Sequence, residues 1–81
     1  MNDHEKWKNY LLDLAQFVKE YALDAVAERE KHRGQPAQEF YDGYVLSFHR
    51  IVSLMQQQAL TFGIDLKELK LDGIKPDRDL V

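Results

Sequence analysis

Glu28 and His32 stand four residues apart, a helical spacing at which a carboxylate and an imidazole can hold one metal ion together. Such a site needs a third ligand near the same helix end. His49 lies thirteen residues past Pro36, roughly 20 Å along a helix at 1.5 Å per residue, and is out of reach. His4 sits near the chain start. Ser47 and His49 invite a nucleophile–base reading, but residues two apart on a helix point about 200° away from each other. Paired carboxylates need a pocket to work as acid and base. Phosphate-cradling loops need clustered glycines, whereas Gly34, Gly43, Gly63 and Gly73 are scattered. With no cysteine in the chain, disulfides, zinc–thiolate centres and cysteine nucleophiles are excluded. The expectation is a protein that is not an enzyme and uses no cofactor or metal.

Charge narrows the partners. Eleven basic residues face fourteen acidic ones, for a net charge of -3. Lys6, Lys8, Lys19 and Lys31 are interleaved with acids, so no basic stripe is expected for nucleic acid. The longest basic cluster, Lys31-His32-Arg33, suits the C-terminal end of a helix dipole. Asp3, Glu5, Lys6 and Lys8 interrupt any early apolar run, and a cytoplasmic chain without a leader is expected. Hydrophobic residues at 44% and charged residues at 31% are ordinary for a folded domain. One domain over residues 1–81 is the reading. A domain this small buries a modest share of its surface, and oligomerisation is the available staple.

The elements follow from periodicity. A first helix is predicted over about 3–33, capped at Asn2 or Asp3, with Trp7, Leu11, Leu14, Val18, Tyr21 and Ala25 at 4-3-4-3-4 spacing. Gly34 reads as its C-terminal cap and Pro36 as the first residue of the second helix, about 36–62, which Gly63 stops. That helix repeats the seam at Tyr41, Val45, Phe48, Val52, Met55, Ala59 and Phe62. A short connection makes the two helices antiparallel neighbours. In the register so predicted, the numbers of Trp7/Phe62, Leu14/Met55 and Tyr21/Phe48 add to 69, and those of Leu11/Ala59, Val18/Val52 and Ala25/Val45 to 70. Leu14, Val18, Tyr21, Phe48, Val52 and Met55 are expected to be almost fully buried, with Arg29 beside Asp42 and Asp24 beside Tyr44. Asp65 and Glu68 have capping-box spacing, with Ile64 and Leu69 as a staple, predicting a short helix over about 66–71. Residues 72–81 read as a solvated tail. Asp42, His49, Arg50 and Gln56-Gln57-Gln58 argue against a membrane span in the second helix.

A second apolar stripe shapes the functional reading. Phe40, Tyr44, Ser47, Ile51, Leu54 and Gln58 recur at the same spacing, rotated away from the seam, and Tyr10 and Phe17 extend that side on the first helix. Gly43, one turn from Ser47, offers a close helix approach at the cost of about 1 kcal/mol relative to alanine. A hairpin alone leaves this face in water, which marks an interface unless the tail folds over it. The tail is expected on the other flank, against Leu12, Ala15, Ala22, Val26, Leu46 and Leu60. The fold class is thus all-α: an antiparallel helical hairpin with a short C-terminal helix, dimerising into a four-helix bundle. Tyr10, Phe17, Phe40, Gly43, Tyr44, Ser47, Ile51, Leu54 and Gln58 form the expected dimer interface. The function expected is a small protein–protein interaction module, an adaptor or regulator whose partners are itself and another protein. Asp72, Asp77 and Asp79 support an alternative, an immunity-protein or antitoxin-like inhibitor of a basic partner. A nucleic-acid-binding regulator ranks third.

Overall fold

A computed structural model describes residues 2–81. Two long helices, α1 (Asp3–Lys31) and α2 (Gln38–Thr61), pack together, and a short α3 (Pro76–Asp79) follows. Among the described residues there is no strand, and no helix is long and apolar enough to cross a membrane. Local chemistry sets the ends. Asn2 Oδ1 accepts the Glu5 N–H at 2.8 Å, with Asp3 and Glu5 in the first turn. At the other end of the hairpin Gly63 takes φ 67°, so that Ile64 N–H reaches Ala59 O at 2.7 Å and Gly63 N–H reaches Leu60 O at 3.1 Å. Both bonds of a glycine-terminated helix are therefore made.

The connection departs from the expected one. α1 stops at Lys31 and α2 starts at Gln38, so Pro36 lies in the linker rather than at the first helical position. Turn bonds from Gln35 N–H to His32 O and from Gln38 N–H to Gln35 O, both 3.0 Å, span residues 32–38. Gly34, at φ 78°, lies beyond the cap residue His32 and donates its N–H to Gln38 Oε1 at 2.8 Å.

The core is rotated relative to the predicted seam. Ala15, Ala22 and Ala25 of α1 meet Val45, Val52 and Ala59 of α2 in the fully buried layer. Of the pairs adding to 70, Ala25/Val45 is buried on both sides, whereas the partners expected for Val52 and Ala59 are the half-buried Val18 and the exposed Leu11. The pairs adding to 69 sit at its rim: Leu14 is 43% exposed and Tyr21 56%, while Phe48 and Met55 are half-buried. Of the six residues expected to be almost fully buried only Val52 is; Leu14 and Tyr21 are exposed, and Val18, Phe48 and Met55 are half-buried. The reason is geometric: one neighbouring helix and the tail cover only part of each helix's apolar arc, and small alanines win the closest contact. Arg29 and Asp42 line one hollow, but the carboxylate near Arg29 Nε is that of Glu30, at 3.8 Å.

The tail is the largest correction. Residues 66–70 form turns, not a helix, and Lys70 takes a left-handed φ of 58°. Asp65 does cap locally, accepting the Lys67 N–H at 3.0 Å. A continuous helix would carry Leu71 away from the face shared by Leu66 and Leu69. Breaking it at Lys70 brings Leu69 and Leu71 into the core, followed by Ile74 and Leu80. Residues 72–81 are therefore not a solvated tail: they cover one flank of the hairpin and include α3. Leu12, Ala15, Ala22 and Val26 belong to this packing, as expected, whereas Leu46 and Leu60 stay exposed.

Candidate interaction surface

The residues that hold the tail define which face it leaves open. Gln56 Nε2 donates to Leu71 O at 3.0 Å and to Ile74 O at 2.8 Å. His49 Nε2 donates to Asp77 Oδ1 at 2.9 Å, and Lys19 Nζ reaches Lys70 O at 3.3 Å. At 3.6 residues per turn, His49 and Gln56 lie on the side of α2 opposite the stripe Tyr44, Ser47, Ile51, Leu54 and Gln58. The segment from Leu71 to Asp77 therefore lies away from that stripe.

All nine residues of the expected interface are exposed: Tyr10, Phe17, Phe40, Gly43, Tyr44, Ser47, Ile51, Leu54 and Gln58. Trp7, Leu14 and Tyr21 join them on α1, and Phe62 at the end of α2. Aromatic rings line this surface in contact with one another. Ring centroids lie 6.2 Å apart for Trp7/Tyr10 and for Phe40/Tyr44, 6.5 Å for Phe17/Tyr21 and 5.3 Å for Tyr44/Phe48. Edge and tilted contacts of this kind pre-arrange the rings without removing them from water. Ser47 Oγ donates back to Gly43 O at 3.0 Å, which hides the one hydroxyl in the middle of the stripe. Nothing lies within 4 Å of a Cβ built at Gly43, so no contact inside the chain requires glycine there. Toward the open end the face carries a hollow of about 280 Å³, walled by Leu11, Leu54, Met55, Gln58 and Phe62 and floored by Ala59, Ile64 and Leu69.

Several polar groups off this face are engaged within the chain. His32 stacks on Tyr41 at 4.4 Å and donates its Nδ1–H to Glu28 O at 2.8 Å, while Glu28 Oε1 faces Lys31 Nζ at 3.3 Å. Among the described residues no three histidines or carboxylates converge as metal ligands. Ser47 and His49 are on opposite sides of α2, one on the open face and one under the tail. Of the acids behind the inhibitor reading, Asp77 meets His49 and Asp79 meets Arg78. The Arg78 guanidinium, then the Lys75 N–H, hold the Asp79 carboxyl at about 2. Glu30 is likewise lowered by its hydrogen bonds to Arg33, the shorter at 2.6 Å.

Gln56 and His49 are the residues that sequence reasoning passed over. Gln56 counts there only within a polar glutamine triplet, and His49 only as a metal ligand, a base for Ser47 or a polar residue in the second helix. The available signal was their seven-residue spacing on the side away from the stripe. No known protein family, curated protein or solved structure matches the chain.

Proposed function

We propose that this protein is an interaction module that works as a homodimer. Two hairpins join by their open faces into a four-helix bundle, which then acts as an adaptor or regulator through binding rather than catalysis. One observation carries the reading: the tail closes one face of the hairpin and leaves the aromatic face bare. The surface area agrees in size. The chain exposes 5977 Å², where a folded monomer of 9.5 kDa exposes about 5,000 Å². The excess of roughly 900 Å² is close to the share, about 800 Å², that each partner contributes to a standard interface. A cytoplasmic setting fits a fold that uses no disulfide. Sedimentation equilibrium tests the proposal. The parent should be a dimer at micromolar concentration, and Ile51→Glu, which puts a charge in the middle of the face, should be a monomer. A parent that stays monomeric at hundreds of micromolar overturns it.

A further inference from the structure

Arg29 interrupts the buried line of α1. Ala22 and Ala25 are fully buried, and Arg29 follows at helical spacing, so the helix carries a guanidinium into the seam where an apolar side chain belongs. Only 16% of that side chain is exposed, and its Nε is enclosed without a hydrogen bond. Among the described residues the carboxylate nearest to it is that of Glu30, at 3.8 Å, too far to accept. Both Glu30 oxygens accept from Arg33 instead, at 3.0 and 2.6 Å. A covered guanidinium without an acceptor is costly, and almost all buried polar groups in folded proteins do have one.

Arg29 lines a hollow of about 390 Å³ between the turn end of the hairpin and the end of the tail. Val45 and Leu80, both buried, form its floor, and the exposed Leu46 and Val81 stand at its edge. Asp42 lines the same hollow, is exposed, and makes no hydrogen bond or ion pair among the described residues. His49 completes the lining, with its Nε2 engaged by Asp77. Asp42, Val45, Leu46 and His49 all lie on the side of α2 opposite the aromatic stripe, so the hollow is separate from the face assigned to self-association. It therefore holds one cation and one anion, neither paired, over an apolar floor. A plain carboxylate entering it meets Asp42 as a like charge, and a plain amine meets Arg29. A molecule that carries both charges suits both residues. We propose that this hollow binds a free α-amino acid with an aliphatic side chain. Its carboxylate lies on the Arg29 guanidinium, whose planar fork matches two carboxylate oxygens. Its ammonium donates to Asp42, and its side chain rests on Val45, Leu46 and Leu80. The hollow has the size of a small-molecule site, about 300–1,000 Å³. Because Leu80 and Val81 belong to the tail, the bound molecule also ties the tail to both helices.

Three molecules of one shape test the proposal: leucine, isocaproate, which lacks the ammonium, and isoamylamine, which lacks the carboxylate. Each is titrated into the isotope-labelled full chain and followed by NMR. Leucine should give saturable shifts of the Val45, Leu46 and Leu80 methyl signals. Isocaproate and isoamylamine should each bind about tenfold more weakly or worse, the loss that follows when one charge-assisted contact goes. Asp42→Asn should reduce leucine binding to the isocaproate level, and Arg29→Met should abolish it. Arg29→Met removes a covered side chain, so Arg29→Lys is measured beside it. Lysine keeps the charge but loses the fork, and leucine should bind that variant about tenfold more weakly. Equal binding of leucine and isocaproate overturns the proposal. So does leucine binding that is unchanged in Asp42→Asn or Arg29→Lys, and so does the absence of any saturable shift up to the solubility of leucine.

Discussion

A carboxamide nitrogen can donate two hydrogen bonds, and Gln56 gives both to carbonyls of the tail, on Leu71 and Ile74. Those carbonyls belong to two of the most buried residues in the chain. Removing the amide strands two acceptors beside apolar side chains, at about 1–3 kcal/mol for a group left unsatisfied. Gln56→Met keeps the volume, so a loss of that size on urea unfolding isolates the hydrogen bonds from packing. A loss under half a kcal/mol means water takes the amide's place. Asp79 works at the far end of the same segment. Its carboxylate accepts from Arg78 Nε at 2.7 Å and from the Lys75 N–H at 2.8 Å, and titrates at about 2 instead of 3.8. A lowered carboxyl stabilises the fold fully above its ordinary value and loses that contribution as pH falls through about 2. Amide protection from Lys75 to Leu80 should therefore decline between about pH 4 and pH 2. Asp79→Asn should abolish the pH dependence; an unchanged profile in that variant assigns the titration elsewhere.

The helices were legible because their signals are local. A capping asparagine at position 2, a stop at Gly63 and two heptad runs between them need no knowledge of the rest of the chain. The rotation of the core was not legible for a related reason. Periodicity records which residues are apolar, not whether the cover comes from this chain or another. Leu14 and Tyr21 carry the signature of buried residues and face open space in the single hairpin. The tail escaped because Leu66, Leu69, Leu71, Ile74 and Leu80 follow neither a 3.6- nor a 2-residue period, yet all five pack on the core. Gly43 gives a test at this level. With nothing within 4 Å of an added Cβ, Gly43→Ala should raise the stability of the chain alone by up to about 1 kcal/mol. That is best measured in the Ile51→Glu background. In the parent background the same methyl should weaken the dimer if the second chain approaches closely at Gly43 and Ser47. A dimer that tightens places Gly43 outside the contact.

The whole molecule is long and thin. It measures 49 × 23 × 16 Å, with a radius of gyration of 14.5 Å. A compact chain of this length has about 12 Å. Its thin dimension leaves little depth for a core, and the innermost α1 residues are alanines, which bury little apolar area each. Most of the large apolar side chains, from Trp7 to Phe62, are on surfaces rather than inside. If the second copy supplies their cover, folding and assembly are linked, and stability depends on concentration. Each tenfold dilution then removes about 1.4 kcal/mol per dimer until the single chain is reached. The melting temperature should accordingly rise with protein concentration for the parent and be flat for Ile51→Glu. Leu14→Ala sharpens the comparison. In the single chain Leu14 is 43% exposed, and its truncation should cost less than the 2–5 kcal/mol of a fully buried leucine. In the dimer it should approach that range, because the cavity then lies between two chains. Equal costs at low and high concentration mean Leu14 meets no second chain, and the open face has another occupant.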